Sequence, residues 1–444
     1  MIKIGKPFVY EDNEYAYLKA RINISDDTSN AYLAASKLIK KVHWRTSENY
    51  PPAEWSNEDS GLWFAVPKEY KQYLCEERSD AFVVALLWYA MITGSDIESV
   101  SPLSERMVFL ITTHLIPALC TDESGYRKIN IYGPTTNKPY KNIGGIGTGM
   151  SCGVDSIYTL NKYRQKDIPS QFRLTHLTYY NMGAIFHPNR SEKKKYTLKD
   201  FYETTDRMSE EKRENAKMVA DKENLSFIYV KSNLDSDYYR GAYGHTGVYR
   251  NCAMTLALQG LFSIYYCSSG GSNRFEFNLT EGSQRYELVL CYCFSTEGLQ
   301  FLISDHATRI EKIINIADYP IAQKFLDVCF CFNNCGKCSK CKRTLLTLDI
   351  LGKLDKFGAV FNIDDFKKRR TEAYTWLLAT KDGDVNNDDY SFAMANYSLA
   401  VKNNKIPIEA IKMYEKTKKK NVIICKLKKC KKGIKQSLKS TFGL

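Results

Sequence analysis

The stretch GTGMSCGVDS, Gly147–Ser156, decides how this chain is read. The residues before it, NIGGI, are short, apolar and glycine-rich and read as a strand, whereas GVDSIYTLNKYRQ, from Gly153 onward, has apolar residues at helical spacing. Small residues between a strand and a helix can form a plain capping loop, with Ser151 or Asp155 satisfying the first-turn amides. They can equally form a phosphate cradle, because unpaired N–H groups and the helix dipole favour an anion at a helix N-terminus. Two phosphate-binding patterns fail. A Walker loop needs a lysine, and none occurs between Ile143 and Leu160; the dinucleotide fingerprint needs a third glycine where Met150 or Cys152 stands.

Ser151, Cys152, Gly153, Val154, Asp155 and Ser156 resemble the Ser-Gly-Gly-x-Asp-Ser signature of the ATP pyrophosphatases, the PP-loop or adenine nucleotide alpha hydrolase superfamily. Cys152 is the departure, since glycine is usual there. Further along, GVYRNCAMTLALQ, with Arg250 and Asn251 opening an apolar helix, resembles the Arg-Asn element of the 7-cyano-7-deazaguanine synthase-like members. The resemblance spans about Lys128 to Ile350. It implies a doubly wound parallel sheet of the HUP or Rossmann-like kind, and cleavage of ATP between its alpha and beta phosphates with Mg2+. An acceptor oxygen is adenylated, and ammonia or an amine then displaces AMP. Ser151, Gly153, Val154, Asp155 and Ser156 would cradle the phosphates, with Asp155 orienting the loop or holding Mg2+. Gly183 would let adenine lie against the backbone, Arg250 would meet phosphate or the bound acid, and Asn251 would fix the turn beside the nucleotide. Ser151, Asp155 and Arg250 are therefore the expected catalytic residues. On the stretch that corresponds to the substrate-facing loop and the helix after it, Glu281, Arg285, Arg309 and Lys312 are candidates to bind a carboxylate, Mg2+ or phosphate, Lys312 as part of the nucleotide site. His187 and His245, in glycine-containing turns, read as hydrogen-bonded loop histidines or as catalytic groups.

The chain has fourteen cysteines, five of them between Cys329 and Cys341 in VCFCFNNCGKCSKC. Cys335, Cys338 and Cys341 stand three apart, which lets thiolates curl round one ion, and a fourth completes the closed tetrahedron of structural Zn2+. The wide first gap of the synthase-like family favours Cys329 as that fourth ligand; Cys331 stays open. A bacterial ferredoxin run would need cysteine and proline where Leu345 and Leu346 stand, so an iron–sulfur cluster is the lesser reading. Cys252, Cys267, Cys291 and Cys293 lie on apolar segments and read as core.

Length and composition, 444 residues with 44% hydrophobic and 13% aromatic, allow a large packed core. Of the net charge of +13, eleven lysines lie from Lys416 onward in a segment without an acidic residue, so the rest carries about +2. That tail reads mainly as a solubilising end, with nucleic acid, anionic lipid or an acidic partner as the alternative. Residues 1–125 read as a β-rich, then helical, accessory region and 126–350 as the ATP-binding domain with its zinc site. Residues 351–415 read as a helical region and 416–444 as the basic tail. Asp80 and Ser104 are expected as helix N-caps, and RNCAMTLALQGLFSIYYC as one buried helix. No apolar run is long enough to span a membrane, and the first residues carry no secretion signal, which points to the cytoplasm. The acceptor is unidentified and a homo-oligomer is left open. Two other functions fit the same residues: an RNA-thiolating PP-loop enzyme using Cys152, and a non-catalytic nucleotide-binding, zinc-stabilised interaction protein.

Overall fold

The structure, a computed structural model, describes residues 1–25, 27, 61–120, 125–185, 198–239, 243–268, 286–329, 333–383 and 390–418. Their strands are β1 (Ile2–Ile4), β2 (Phe8–Glu11), β3 (Tyr15–Ile24), β4 (Gly61–Pro67), β5 (Ile97–Ser99), β6 (Leu103–Ser104), β7 (Ile131–Tyr132), β8 (Thr135–Thr136), β9 (Gly145–Gly149), β10 (His176–Asn181), β11 (Ser226–Ser232), β12 (Phe262–Cys267) and β13 (Gln300–Ile303). The principal helices are α1 (Asp80–Thr93), α2 (Val154–Tyr163), α3 (Leu198–Lys222), α4 (Tyr243–Ala257), α5 (Glu287–Phe294), α6 (Arg309–Ile316), α7 (Ser339–Ile350), α8 (Arg370–Lys381) and α9 (Tyr390–Lys402).

Eleven strands form one sheet in the order β13-β12-β9-β10-β11-β4-β3-β1-β5-β7, with β2 paired to β3 beside that path; β6 and β8 pair separately. From β13 to β11 all neighbours are parallel. The strand that enters the quoted loop, β9, has its successor β10 on one side and the later β12 on the other, so the strand order reverses beside it. Ligands of open α/β sheets bind outside the carboxyl ends of strands at such a reversal.

The N-terminal strands, expected as a small region of their own, continue this sheet through antiparallel pairing of β4 with β11. Side chains at the end of β11 extend the ladder there. Asn233 donates to the Gly61 carbonyl at 2.8 Å and accepts from the Trp63 amide at 3.0 Å, and the Ser232 hydroxyl donates to the Trp63 carbonyl at 2.6 Å.

The apolar run from Arg250 to Cys267 is not one helix: α4 ends at Ala257, and FSIYYC is β12. A continuous apolar run suits a buried parallel strand as well as a buried helix, so its periodicity does not separate the two. β12 lies close against β9 because Gly147 has no side chain: a Cβ there would sit 2.6 Å from the Phe262 ring and 3.0 Å from the Tyr265 ring.

Two compact units divide the chain. The first comprises residues 1–308 and 325–332, and so joins the expected accessory region to most of the expected ATP-binding domain. Its core includes α1, whose fourteen residues are all buried. The second takes in residues 309–324 and the described residues from 333 on. There α7 is tied to α9 by Thr347 donating to Asn396 Oδ1 at 2.7 Å, and to α8 by Arg370 and Tyr374 donating to Asp349 Oδ2 at 2.9 and 2.7 Å. No described helix is long and apolar enough to cross a membrane. Tail residues 419–444 lie outside the described residues.

Ser104 caps its helix as expected, accepting from the Met107 amide at 3.0 Å. Asp80 does not cap: it is the first residue of α1, fully buried, and its carboxylate accepts from the Ser104 amide at 2.8 Å and from Gln259 Nε2 at 3.0 Å. Burial pushes its carboxyl from 3.8 up to about 6 despite those donors. Because the folded value is the higher one, the unfolded chain gives up this proton first, and stability falls as pH rises from about 4 to about 6. Relative to an Asp80→Asn variant, the wild type should therefore lose about 2–3 kcal/mol between pH 4 and pH 7, measured by urea unfolding.

Candidate nucleotide site and metal centre

The quoted loop leaves β9 at its carboxyl end and turns into α2 within four residues. Its turning point is Cys152, at φ +58°, a left-handed conformation that costs a side-chain-bearing residue roughly 1–2 kcal/mol and that glycine adopts freely. That is a physical reason for glycine at this place in the motif. Gly153, extended at φ −76° and ψ 169°, is the N-cap of α2, and no side chain caps the helix. The N-cap residue itself therefore supplies no side-chain hydrogen bond to the first-turn amides. Ser151 is exposed; its hydroxyl lies 3.3 Å from the Ser156 hydroxyl and accepts the Gly153 amide at 3.4 Å. Ser156 Oγ donates to the Gly153 carbonyl at 3.1 Å, and Asp155 is half-buried on the first turn. Two hydroxyls and a helix N-terminus without a side-chain cap thus gather at the reversal of strand order, where they can take an anion.

The surroundings of the Cys152 thiol disfavour its ionised form. It is 2% exposed, and burial, with the nearby Asp327 carboxylate adding to it, pushes the thiol up to about 12. Both causes work against the thiolate that the RNA-thiolating reading needs.

Arg250, expected to meet phosphate or the bound acid, is buried against protein partners. Its side chain is fully enclosed; Nε donates to Thr246 Oγ1 at 2.7 Å and Nη1 to the Met182 carbonyl at 2.6 Å and to Asp235 Oδ1 at 2.5 Å. The guanidinium also lies 5.1 Å from the Tyr239 ring centre. This explains Gly183 without invoking adenine. Its φ is +75°, and a Cβ would collide with the Asp235 carboxyl and come within 2.7 Å of Arg250 Nη1. Nη2 of Arg250 and Oδ1 of Asn251 are buried polar atoms with no partner among the described residues. Asn251 sits on α4 beside the end of β12, with Nδ2 3.9 Å from Cys267 Sγ. Ser268, just past β12, lies 3.2 Å from the Thr148 hydroxyl of β9.

Lys312 is 2% exposed on α6, inside the second unit, rather than on a solvated face. Arg309 packs 5.9 Å from the Phe392 ring, and His245 stacks 5.9 Å from Trp88. His187, Glu281, Arg285 and Cys331 lie outside the described residues. Cys252, Cys267, Cys291 and Cys293 are buried core residues as expected. Asp235 and Asp327 went unread in the sequence. Asp235 sits just past β11, where its place at a strand's carboxyl end is a usable signal; Asp327 carries no local pattern.

The cysteine cluster forms. The Sγ atoms of Cys329, Cys335, Cys338 and Cys341 lie within 4.8 Å of one another and can hold a metal ion. Thiolates bound tetrahedrally at about 2.3 Å stand about 3.8 Å apart, so the four sulfurs fit with little movement. Asn333, Asn334 and Gly336 all have positive φ, which turns the chain round the site, and the Cys338 amide donates to Cys335 Sγ at 3.4 Å. Cys341 is buried in the first turn of α7.

No protein-family model, curated protein or solved structure matches this chain.

Two outcomes are expected. Metal analysis of the purified protein should give one ion per chain, lost in Cys329→Ser and kept in Cys331→Ser. Gly183→Ala should destabilise the protein by more than about 1 kcal/mol in urea titration, because it meets both a positive φ and a filled space.

Proposed function

We propose that this chain is an ATP pyrophosphatase-type enzyme of the PP-loop kind, 7-cyano-7-deazaguanine synthase-like. It uses ATP and Mg2+ to adenylate a carboxylate or carbonyl oxygen of an acceptor, releases pyrophosphate, and lets ammonia or an amine displace AMP. On this reading β9 to β13 form a doubly wound, Rossmann-like sheet. The observation that supports it most is the Ser151–Ser156 loop at the reversal of strand order, ahead of a helix N-terminus that no side chain caps. The downstream four-cysteine cluster, read as structural Zn2+ because thiolates complete its shell, fits the same family.

In this reading the loop amides and the hydroxyls of Ser151 and Ser156 hold the phosphates, and Asp155 on the first turn of α2 holds Mg2+. Donors fixed in advance at the alpha phosphate stabilise the charge that builds on it during attack, without reorganising at that moment. Arg250 acts indirectly: it holds the turn at Met182 and Gly183 and the carboxylate of Asp235 beside the site. The acceptor belongs to the class of oxygen acids or carbonyl compounds.

The test is release of pyrophosphate and AMP from ATP with Mg2+, the acceptor supplied as a fractionated small-molecule extract. Formation of both products, reduced about 10-fold or more in Ser151→Ala and Asp155→Asn, is expected. Tight ATP binding with no AMP under any fraction would instead favour a nucleotide-binding interaction protein. AMP formation untouched by either variant would remove the loop from the chemistry.

A further inference from the structure

Asp327, two residues before the first cysteine of the metal cluster, touches both the cluster and the nucleotide loop. Its main-chain amide donates to the Cys152 carbonyl at 2.8 Å, so it grips the loop at the one residue whose backbone is left-handed. Its carboxylate Oδ1 accepts the amide of Cys329, a member of the metal cluster, at 3.2 Å. The other carboxylate oxygen, Oδ2, is paired with Lys212 of α3, and both side chains are largely buried, 13% exposed for Asp327 and 16% for Lys212. The aspartate therefore cannot swing without breaking a buried ion pair, and a buried charge left unpaired is heavily penalised. Its carbonyl oxygen also lies 3.9 Å from where a Gly153 side chain would begin. No acceptor other than the Cys152 carbonyl is found for the Asp327 amide among the described residues.

We infer that Asp327 is a positioning residue which couples occupancy of the four-cysteine metal centre to the shape of the nucleotide loop, so that metal binding and nucleotide binding reinforce one another. A bound ion holds Cys329 Sγ, and Cys329 holds Asp327 through its amide. Asp327 in turn holds Cys152 in the left-handed conformation from which the Gly153–Ser156 backbone fans out. When the ion leaves, Cys329 is released, the chain of two hydrogen bonds slackens, and Cys152 is free to relax towards the right-handed region that its side chain prefers. Coupling of this kind is reciprocal: whatever factor metal adds to nucleotide affinity, nucleotide adds to metal affinity. The nucleotide half rests on the function proposed above; the structural half, metal to loop, does not.

The experiment is hydrogen exchange by mass spectrometry on the full chain, metal-loaded and after chelation, in wild type, Asp327→Ala and Asp327→Asn. Peptides of β3 and β4 report whether the sheet stays folded. In the wild type, chelation should speed exchange across residues 150–157 by about tenfold or more while β3 and β4 stay protected. In metal-loaded Asp327→Ala the loop should already exchange fast with one ion still bound per chain, and chelation should add little. Asp327→Asn keeps the main-chain amide and an oxygen acceptor for Cys329 and should keep the coupling, which separates it from the Lys212 ion pair. Unchanged loop exchange on chelating the wild type, or full coupling surviving in Asp327→Ala, overturns the inference. Should chelation unfold the whole protein, the metal-loaded comparison of wild type with Asp327→Ala decides: equal loop exchange overturns the inference. ATP affinity, measured with Mg2+ in both metal states, separates the two layers. A weaker Kd without metal extends the coupling to the nucleotide. No ATP binding in either state, with the exchange coupling intact, removes the nucleotide reading and leaves the brace standing.

Discussion

The close contact of β12 with β9 is the constraint on which everything at this site depends. Gly147 leaves the space that the rings of Phe262 and Tyr265 fill, so a strand from late in the chain lies next to an earlier one. That pairing reverses the strand order beside β9, and the Ser151–Ser156 loop, Gly183, Asp235 and Ser268 follow the carboxyl ends of β9, β10, β11 and β12 there. A side chain at position 147 would collide with the Phe262 and Tyr265 rings and disturb this contact.

Around these strand ends the molecule stores charge and strain in buried places. Arg250 is enclosed with Asp235 under the Gly183 turn, and Lys212 is paired with Asp327 under the loop. Such pairs add little to stability on balance, but removing one partner is expensive, so they fix which arrangement the backbone takes. Cys152 in a left-handed conformation is the corresponding backbone feature, held by an amide that belongs to the segment leading into the metal cluster. Strain of this sort persists only where the surroundings over-determine it.

Much of this was legible in the sequence where one signal acted alone. GIGTG followed by VDSIYTLNKY reads as a strand and a helix from local pattern, and β3 and β4 match YAYLKARINI and GLWFAVP residue for residue. The cysteine spacing led to the four residues whose sulfurs converge. The misreadings occurred where tertiary packing overrode local pattern. β12 hid within an apolar run because a strand buried on both faces and a buried helix carry the same composition. Asp80 offered a cap by type, yet its carboxylate was drawn inward by the Ser104 amide and Gln259. Arg250 carries no local sign of its enclosure, since its partner Asp235 is fifteen residues away in sequence and meets it only in the fold. Asp327 had no signal at all: its meaning lies in a carbonyl far back in the chain, at Cys152.

The claim at the centre is that the backbone from Cys152 to Ser156 grips a nucleotide's phosphates at the reversal of strand order. A crystal structure of the protein soaked with Mg2+ and a non-hydrolysable ATP analogue tests it most directly. The expected result is phosphate density against the amides and hydroxyls of Ser151 to Ser156, with the metal ion near Asp155. Phosphate density elsewhere on the chain, with that loop empty at saturating analogue, would contradict it.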